Sequence, residues 1–253
     1  AMSRYRWPIH FALLNNDCLW VFDETQLMGV TIETSAQLQA FRQQLATTGA
    51  AHSMWMSATL GQRQLDTVDH PAPEGGFRRH TLGPADRDHP LVGQRLRAAK
   101  TLGRVEAVTI AKETDAKQDK ALAEAVLEAH RPGSLTLVVV NRVVRAQSLY
   151  QLLEKARSEQ STLLIHSRFR PHERLARESL LTSTERPTDC IAVATQAVEA
   201  GVDISAHTLV TELAPWPSLV QRFGRCNRYG EHGDAKILWI DVEKGEVSRR
   251  LSV

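Results

Sequence analysis

The residues with the most chemistry to offer lie in Gln221-Arg222-Phe223-Gly224-Arg225-Cys226-Asn227-Arg228. Pro215-Trp216-Pro217-Ser218, just ahead, reads as a helix start, with Pro217 near the first turn and Ser218 able to cap. A helix carried through the stretch puts Gln221, Arg225 and Arg228 at i, i+4 and i+7 on one face. Two guanidiniums and an amide aimed one way suit a multiply charged oxyanion, because the Arg fork matches phosphate oxygens and serves as an arginine finger in phosphoryl transfer. The alternative is a solvated helix with scattered arginines. Gly224 inside the stripe, where glycine costs stability relative to alanine, argues against it. The sequence leaves open whether the helix runs through Gly224 or breaks there and leaves Arg228 on a loop.

A phosphate-facing stripe needs a nucleotide to face. Asp23-Glu24 closes the short apolar run Cys18-Leu19-Trp20-Val21-Phe22, which reads as a buried parallel strand. Ligands in open α/β sheets bind at the carboxyl ends of strands. An Asp there can hold Mg²⁺, directly or through water, and the adjacent Glu can orient and deprotonate an attacking water. A solvated acidic turn is the competing account of this pair. A second run, Ser53-Met54-Trp55-Met56, ends in Ser57-Ala58-Thr59, whose hydroxyls can hydrogen-bond a nearby carboxylate or phosphate. Further on, Thr195 can cap a short helix, Gly201 suits a positive φ or a close backbone approach, and Asp203 can bind a ribose hydroxyl or steady an arginine. Asn141, Arg142, His166, Ser167 and Arg168 all follow strands, so they line one edge of a sheet that could track a phosphodiester strand. Loop residues satisfying their own turns would look the same.

These residues need elements to carry them. A helical pattern spans about Thr34 to Ala46, with Leu38, Phe41 and Leu45 as its packing stripe. Residues 63–100 lose periodicity, are punctuated by Pro71, Pro73, Gly75, Gly76, Gly83, Pro84 and Pro90, and read as a linker or irregular connection. Strands are expected at 102–110, 135–140, 162–165, 190–194, 208–211 and 236–240. Helices are expected at 115–130, 143–156 and 171–181. Short apolar strands alternating with helices predict a parallel sheet covered on both faces.

The chain has 253 residues and a formal net charge of +2, so any nucleic-acid contact must be local. Cys18, Cys190 and Cys226 have neither CxxC spacing nor an even count, which argues against a disulfide framework or a zinc site and fits a reducing cytoplasm. No signal peptide and no apolar run of membrane-spanning length is visible. The opening Ala1-Met2 reads as a cloning remnant, and the expectation is of an excised fragment.

The order of these motifs resembles that of the superfamily 2 helicases, from Asp23 to about Arg228. The resemblance makes Asp23-Glu24 the Walker B motif, Ser57-Ala58-Thr59 the coupling motif, Ala194 to Asp203 the fifth motif and Gln221 to Arg228 the sixth. Met2-Ser3-Arg4-Tyr5-Arg6-Trp7-Pro8, Trp20 to Gly29 and Gln221 to Gly230 resemble the CRISPR-associated type I helicase–nucleases more narrowly, although Gln26 stands where that family usually has His. The implied fold is α/β, with RecA-like parallel sheets flanked by helices. Residues 1–62 would be the back part of a first domain, and 101–253 a near-complete second domain. The implied activity is ATP-dependent translocation on single-stranded DNA with Mg²⁺, in antiviral defence, beside a CRISPR surveillance complex and with no membrane partner. The resemblance makes Asp23, Glu24, Gln221, Arg225 and Arg228 catalytic, Ser57 and Thr59 coupling residues, Gly201 and Asp203 nucleotide-binding, and Asn141, Arg142, His166, Arg168 and Thr195 nucleic-acid-binding. No Gly-x-x-x-x-Gly-Lys-Ser/Thr occurs, nor the His-Asp dipeptide of the family's metal nuclease, so the 253 residues alone are expected to lack ATPase activity.

Overall fold

The computed structural model describes residues 4–57, 62–110, 115–157, 162–183 and 185–242. The chain divides into two compact units, Ala1–Thr81 and Leu82–Val253. The first carries α1 (Trp7–Leu14), β1 (Cys18–Phe22), α2 (Thr31–Leu45) and β2 (Ala51–Trp55). β1 and β2 pair in parallel, with Phe22 opposite Trp55. Their side chains alternate: Trp20, Phe22, Ser53 and Trp55 are half-buried, whereas Leu19, Val21 and Met54 are exposed.

Helix α2 packs with a different face from the expected one. Phe41 and Leu45 of the Leu38–Phe41–Leu45 stripe are 39% and 66% exposed. Ile32, Ser35, Ala36, Gln39, Ala40 and Arg42 are buried instead. Polar anchoring accounts for the rotation. The Arg42 guanidinium lies over the Trp20 ring and donates to Asn15 Oδ1, Gln39 Oε1 and Ser53 Oγ. Trp55 Nε1 donates to Ser35 Oγ at 2.8 Å.

The second unit holds α3 (Pro84–Asp88), α4 (Pro90–Leu96), β3 (Thr101–Ile110), α5 (Ala116–Ala129), β4 (Leu135–Val139), α6 (Val143–Ala156), β5 (Thr162–Ile165), α7 (Pro171–Thr182), β6 (Cys190–Ala194), β7 (Thr208–Glu212), α8 (Trp216–Phe223) and β8 (Lys236–Val242). Its six strands form one parallel sheet in the order β3-β8-β7-β4-β6-β5. Every residue of β4, β5, β6 and β7 is buried, because the sheet is covered on both faces. Successive residues of β4 feed opposite cores. Val138 and Val140 join Leu122, Val126, Leu149 and Leu153 of α5 and α6, while Leu135, Leu137 and Val139 join Leu181 of α7, Val198 and Ile204. From β4 the chain runs out to the edge strand β5, comes back through β6, and then crosses to β7 and β8 on the other side of β4. That reversal is the topological switch point at which such sheets bind ligands. No described helix is long and apolar enough to cross a membrane.

At the opposite, amino-terminal edge of the sheet, buried His130 bridges Thr136 and Asp189. Its Nδ1 lies 2.8 Å from Thr136 Oγ1 and its Nε2 2.8 Å from Asp189 Oδ1. A carboxylate only accepts, so Nε2 carries the proton and Nδ1 accepts from the threonine hydroxyl. Burial pushes the His130 imidazole below its ordinary 6.5, by more than the hydrogen bond to Asp189 pulls it up. The unfolded chain therefore binds this proton at a higher pH than the folded one. The stability held by neutral His130 is present above pH 6.5 and is lost as pH falls through that unfolded value. Urea unfolding at pH 7.5 and at pH 5 should show a larger loss in the native chain than in His130→Asn. Equal losses would exclude His130 as the source.

Candidate functional site

In the first unit the acidic pair sits directly after β1. The amide of Glu24 donates to Asp23 Oδ1 at 2.8 Å. Glu24 has φ +50 and ψ +47, the left-handed region that a non-glycine residue occupies at a cost. That turn directs Glu24 toward Gln26, whose Nε2 donates to Glu24 Oε2. Ser57 Oγ in turn donates to Gln26 Oε1 at 2.5 Å. Backbone bonds hold the two strand ends together: Met56 N donates to Phe22 O at 2.8 Å, and Thr25 N to Met56 O at 3.1 Å. The result is a row Glu24–Gln26–Ser57 joining the acidic pair to the hydroxyl loop. A glutamine serves here because its amide donates to the carboxylate while its carbonyl accepts from the serine. Thr59 lies outside the described residues. Asp23 and Glu24 are exposed hard-oxygen donors. Mg²⁺ takes one or two such carboxylates together with phosphate oxygens and water, so the pair fits that ion. No cluster of three or more His, Cys, Asp or Glu side chains able to hold a metal alone occurs among the described residues.

In the second unit the carboxyl edge of the sheet gathers Asn141, Arg142, His166, Arg168 and Thr195. Asn141 follows β4. Its Oδ1 accepts from Arg222 Nη2 at 2.9 Å, its Nδ2 donates to Leu213 O at 2.8 Å, and its backbone N donates to Glu212 Oε2 at 2.7 Å. Arg142 is half-buried at the N-cap of α6, and Thr195 is buried after β6, with its amide donating to Ile165 O. His166 follows β5 and is 3% exposed. Its ring stacks on Phe169 at 4.1 Å between centroids, and Arg177 lies 4.3 Å from the Phe169 centroid. Neither ring nitrogen of His166 has a hydrogen-bond partner among the described residues. Burial pushes its imidazole down, and the Arg168 and Arg177 cations add to that. Ser167 and Arg168 are exposed beside it.

Under this edge runs a buried chain of alternating charges. Arg145 lies 3.3 Å from Asp119 Oδ1 and 2.9 Å from Glu212 Oε1. Asn141 bridges Glu212 to Arg222. Arg222 pairs with Glu199 at 2.8 Å and also donates to Thr211 Oγ1 and Glu212 O. Arg225 donates to the backbone oxygens of Glu199 at 2.7 Å and Val198 at 3.2 Å. Each of these three acids and three arginines is at most 6% exposed. Burial drives the Glu212 carboxyl up, against the pull of Arg145 and the Asn141 amide.

Helix α8 stops at Phe223, with Gly224 as its C-cap, so Gln221 is on the helix and Arg225 and Arg228 lie beyond it. The following segment bridges to residue 206 instead: Ala206 N donates to Arg225 O and Asn227 N to Ala206 O, each at 2.8 Å. Gln221 and Arg228 are half-buried. Arg228 Nε lies 2.7 Å from Asp203 Oδ1, and its backbone N donates to Ser205 Oγ. Gly201 has φ +75, the conformation that lets the chain turn between Glu199 and Asp203. Arg225, Arg228, Gly201 and Asp203 are thus brought together, with Arg225 buried and Arg228 facing an exposed carboxylate.

Four participants carry no role in the sequence motifs, Arg145, Glu199, Glu212 and Arg222, and Gln26 stands out there only as a departure from His. Glu212 carried one usable signal, as the acid that ends the buried strand Thr208–Glu212. Arg222 sits inside the Gln221–Arg228 stretch, but on the face of α8 turned inward with Leu219.

A six-stranded, all-parallel sheet with helices on both faces and charged loops at its carboxyl edge defines a RecA-like domain. Within that class the similarity is to the helicases of CRISPR systems. Residues 132–231 match the family described as CRISPR-associated nuclease/helicase Cas3, C-terminal. The CRISPR-associated helicase Cas3 of Thermoproteus tenax is 33% identical over 107 residues, 42% of this chain and 18% of that protein. The crystal structure of T. fusca Cas3-ATP superposes with a TM-score of 0.64 at 20% identity, over 88% of this chain and 30% of that one, which shows the shared fold. A CRISPR RNA-guided surveillance complex in a pre-nicking state contains a chain with a TM-score of 0.57 at 19% identity, over 89% of this chain and 31% of that one. This chain therefore resembles the superfamily 2 helicase core of the CRISPR-associated helicase–nucleases and spans 18% or less of the curated relatives it matches.

Proposed function

We propose that this chain is part of an ATP-dependent single-stranded-DNA translocase or helicase of a type I CRISPR interference system, cytoplasmic and acting in antiviral defence. The observation that carries the reading is that the Cas3-type match, residues 132–231, contains Gln221, Arg225 and Arg228 as well as Asp203 and Asn141. In this reading Asp23, with Glu24 beside it, holds Mg²⁺, which when bound neutralises charge on the ATP phosphates. Glu24 orients and deprotonates the attacking water, and its bond through Gln26 to Ser57 relays nucleotide state to the coupling loop, to which Thr59 belongs. Arg225 and Arg228 neutralise charge on the departing γ-phosphate with Gln221 beside them, and Gly201 and Asp203 flank the nucleotide. Asn141, Arg142, His166, Arg168 and Thr195 line the track for the strand. The surveillance complex is the proposed partner because a similar chain occurs in one.

Buried Arg225, bonded to two carbonyls, favours a second reading: a nucleic-acid-binding or assembly module in which the arginines are structural. Another superfamily 2 motor is the third. ATP hydrolysis stimulated by single-stranded DNA separates them. The 253 residues alone should hydrolyse no ATP, and the full-length protein with a P-loop should do so when DNA is added. Turnover by the 253 residues alone would overturn the fragment reading. A full-length protein that binds DNA without turnover would establish the binding module.

A further inference from the structure

The segment that follows the unit boundary does more than connect. Four interactions tie it to the loop after α8. Lys100 Nζ donates to Phe223 O, the carbonyl at the end of α8, at 2.9 Å. Asn227 Nδ2 donates to Ala99 O at 2.9 Å. Gln94 Nε2 lies 3.4 Å from Gly230 O, and the Arg95 guanidinium lies 5.2 Å from the centre of the Tyr229 ring. Gly230 shows how close the approach is. It has φ +74, and a Cβ there would lie 2.7 Å from Gln94 O. Burial, and then the Asp203 carboxylate that pairs with Arg228, push the Tyr229 phenol up.

We propose that Arg95 and Lys100 are positioning residues for the arginine loop. Lys100 fixes where α8 ends and hence where Arg225 starts. Arg95 covers the ring of Tyr229, the neighbour of Arg228, and so fixes the backbone from which Arg228 reaches Asp203. The proposal rests on the motor reading for its catalytic meaning, but the strap itself is a property of the second unit. Lys100 suits its place because a cation at a helix C-terminus meets the negative end of the dipole and satisfies an orphan carbonyl. Burial draws its ammonium down, and neighbouring Arg228 adds to that against Cys226. Arg95 suits its place because a guanidinium covers an aromatic face better than an ammonium.

Amide hydrogen exchange on the 253-residue chain tests the strap. Arg95→Ala should speed exchange across residues 224–232 about threefold, as for loss of an exposed cation–π contact. Lys100→Met should speed it about tenfold, as for loss of a charged donor to a carbonyl. Exchange in β4 should not change, and Lys100→Arg should keep most of the protection. Loop exchange in the double variant within about twofold of the native rate would overturn the proposal. In the full-length protein the double variant should lower kcat for ATP about tenfold with little change in KM, the signature of a lost transition-state arrangement. Faster loop exchange with unchanged kcat would also overturn the positioning role. If the native full-length protein hydrolyses no ATP, the motor reading fails, and the exchange result alone decides the strap.

Discussion

Replacing Arg222 with Met should cost the second unit about 3–5 kcal/mol, the range for breaking a buried ion pair from one side. The guanidinium makes five polar contacts that no other residue can supply: two with Glu199, and one each with Thr211 Oγ1, Glu212 O and Asn141 Oδ1. Methionine fills much of the volume and removes all five. Glu199, 6% exposed, would keep a charge without its buried partner. Asn141 would lose one of the bonds that orient its amide, and Glu212 would lose a cation that opposes the effect of burial. Urea unfolding followed by circular dichroism measures the loss. Arg222→Met combined with Glu199→Gln should recover about 1–3 kcal/mol of it, since the uncompensated charge is then gone. A single variant within about 1 kcal/mol of the native chain would mean that the row is hydrated or replaceable.

The same residue shows what the sequence made legible and what it did not. Strands and helices of the second unit were readable because burial on both faces forces continuous apolar runs. Leu135 to Val140 was expected as a strand, and Leu135–Val139 is one. The helix over Val143–Ala156 was also expected with those bounds. Charged side chains carry no such mark. Nothing in the sequence marks Arg222, Arg145 or Glu212 as buried, because burial of a charge depends on partners far away in sequence: Glu199 for Arg222, Asp119 for Arg145, Arg145 for Glu212. Helix α2 failed in the opposite direction. Its leucine and phenylalanine stripe obeyed helical spacing, but Arg42 found Trp20, Asn15 and Ser53 and turned the polar face inward. The end of α8 at Phe223 was one of two options the sequence left open. Periodicity cannot show that Arg225 O and Asn227 N would pair with Ala206 rather than continue the helix. Residues 84–100 gave no periodic signal either, since their contacts with the arginine loop run largely from side chain to backbone.

Under the motor reading, replacing Arg225 with Ala in a longer protein that carries a P-loop should lower kcat for DNA-stimulated ATP hydrolysis on the order of a thousandfold or more, the usual worth of an arginine finger. Its present position makes the control essential. Arg225 is 5% exposed, and its guanidinium donates to Val198 O and Glu199 O. The substitution therefore also strips two buried carbonyls of a donor, which costs stability of about 1–3 kcal/mol by itself. Arg228 separates the two effects. It is half-buried, and its side-chain partners include Asp203, 67% exposed, and the backbone oxygen of Gly224. Arg228→Ala should leave stability within about 1 kcal/mol of the native value, because an exposed ion pair contributes little. If both arginines meet phosphate, both variants lose turnover, while only Arg225→Ala loses stability. If Arg225 is purely structural, its variant loses stability and its remaining folded fraction turns over at the native rate. Equal rates in the native protein and both variants would remove the finger assignment altogether. For Arg225 to serve as a finger it must exchange two carbonyls for phosphate oxygens. A guanidinium does so readily, since charge-assisted bonds to phosphate are roughly twice as strong as those to a neutral acceptor.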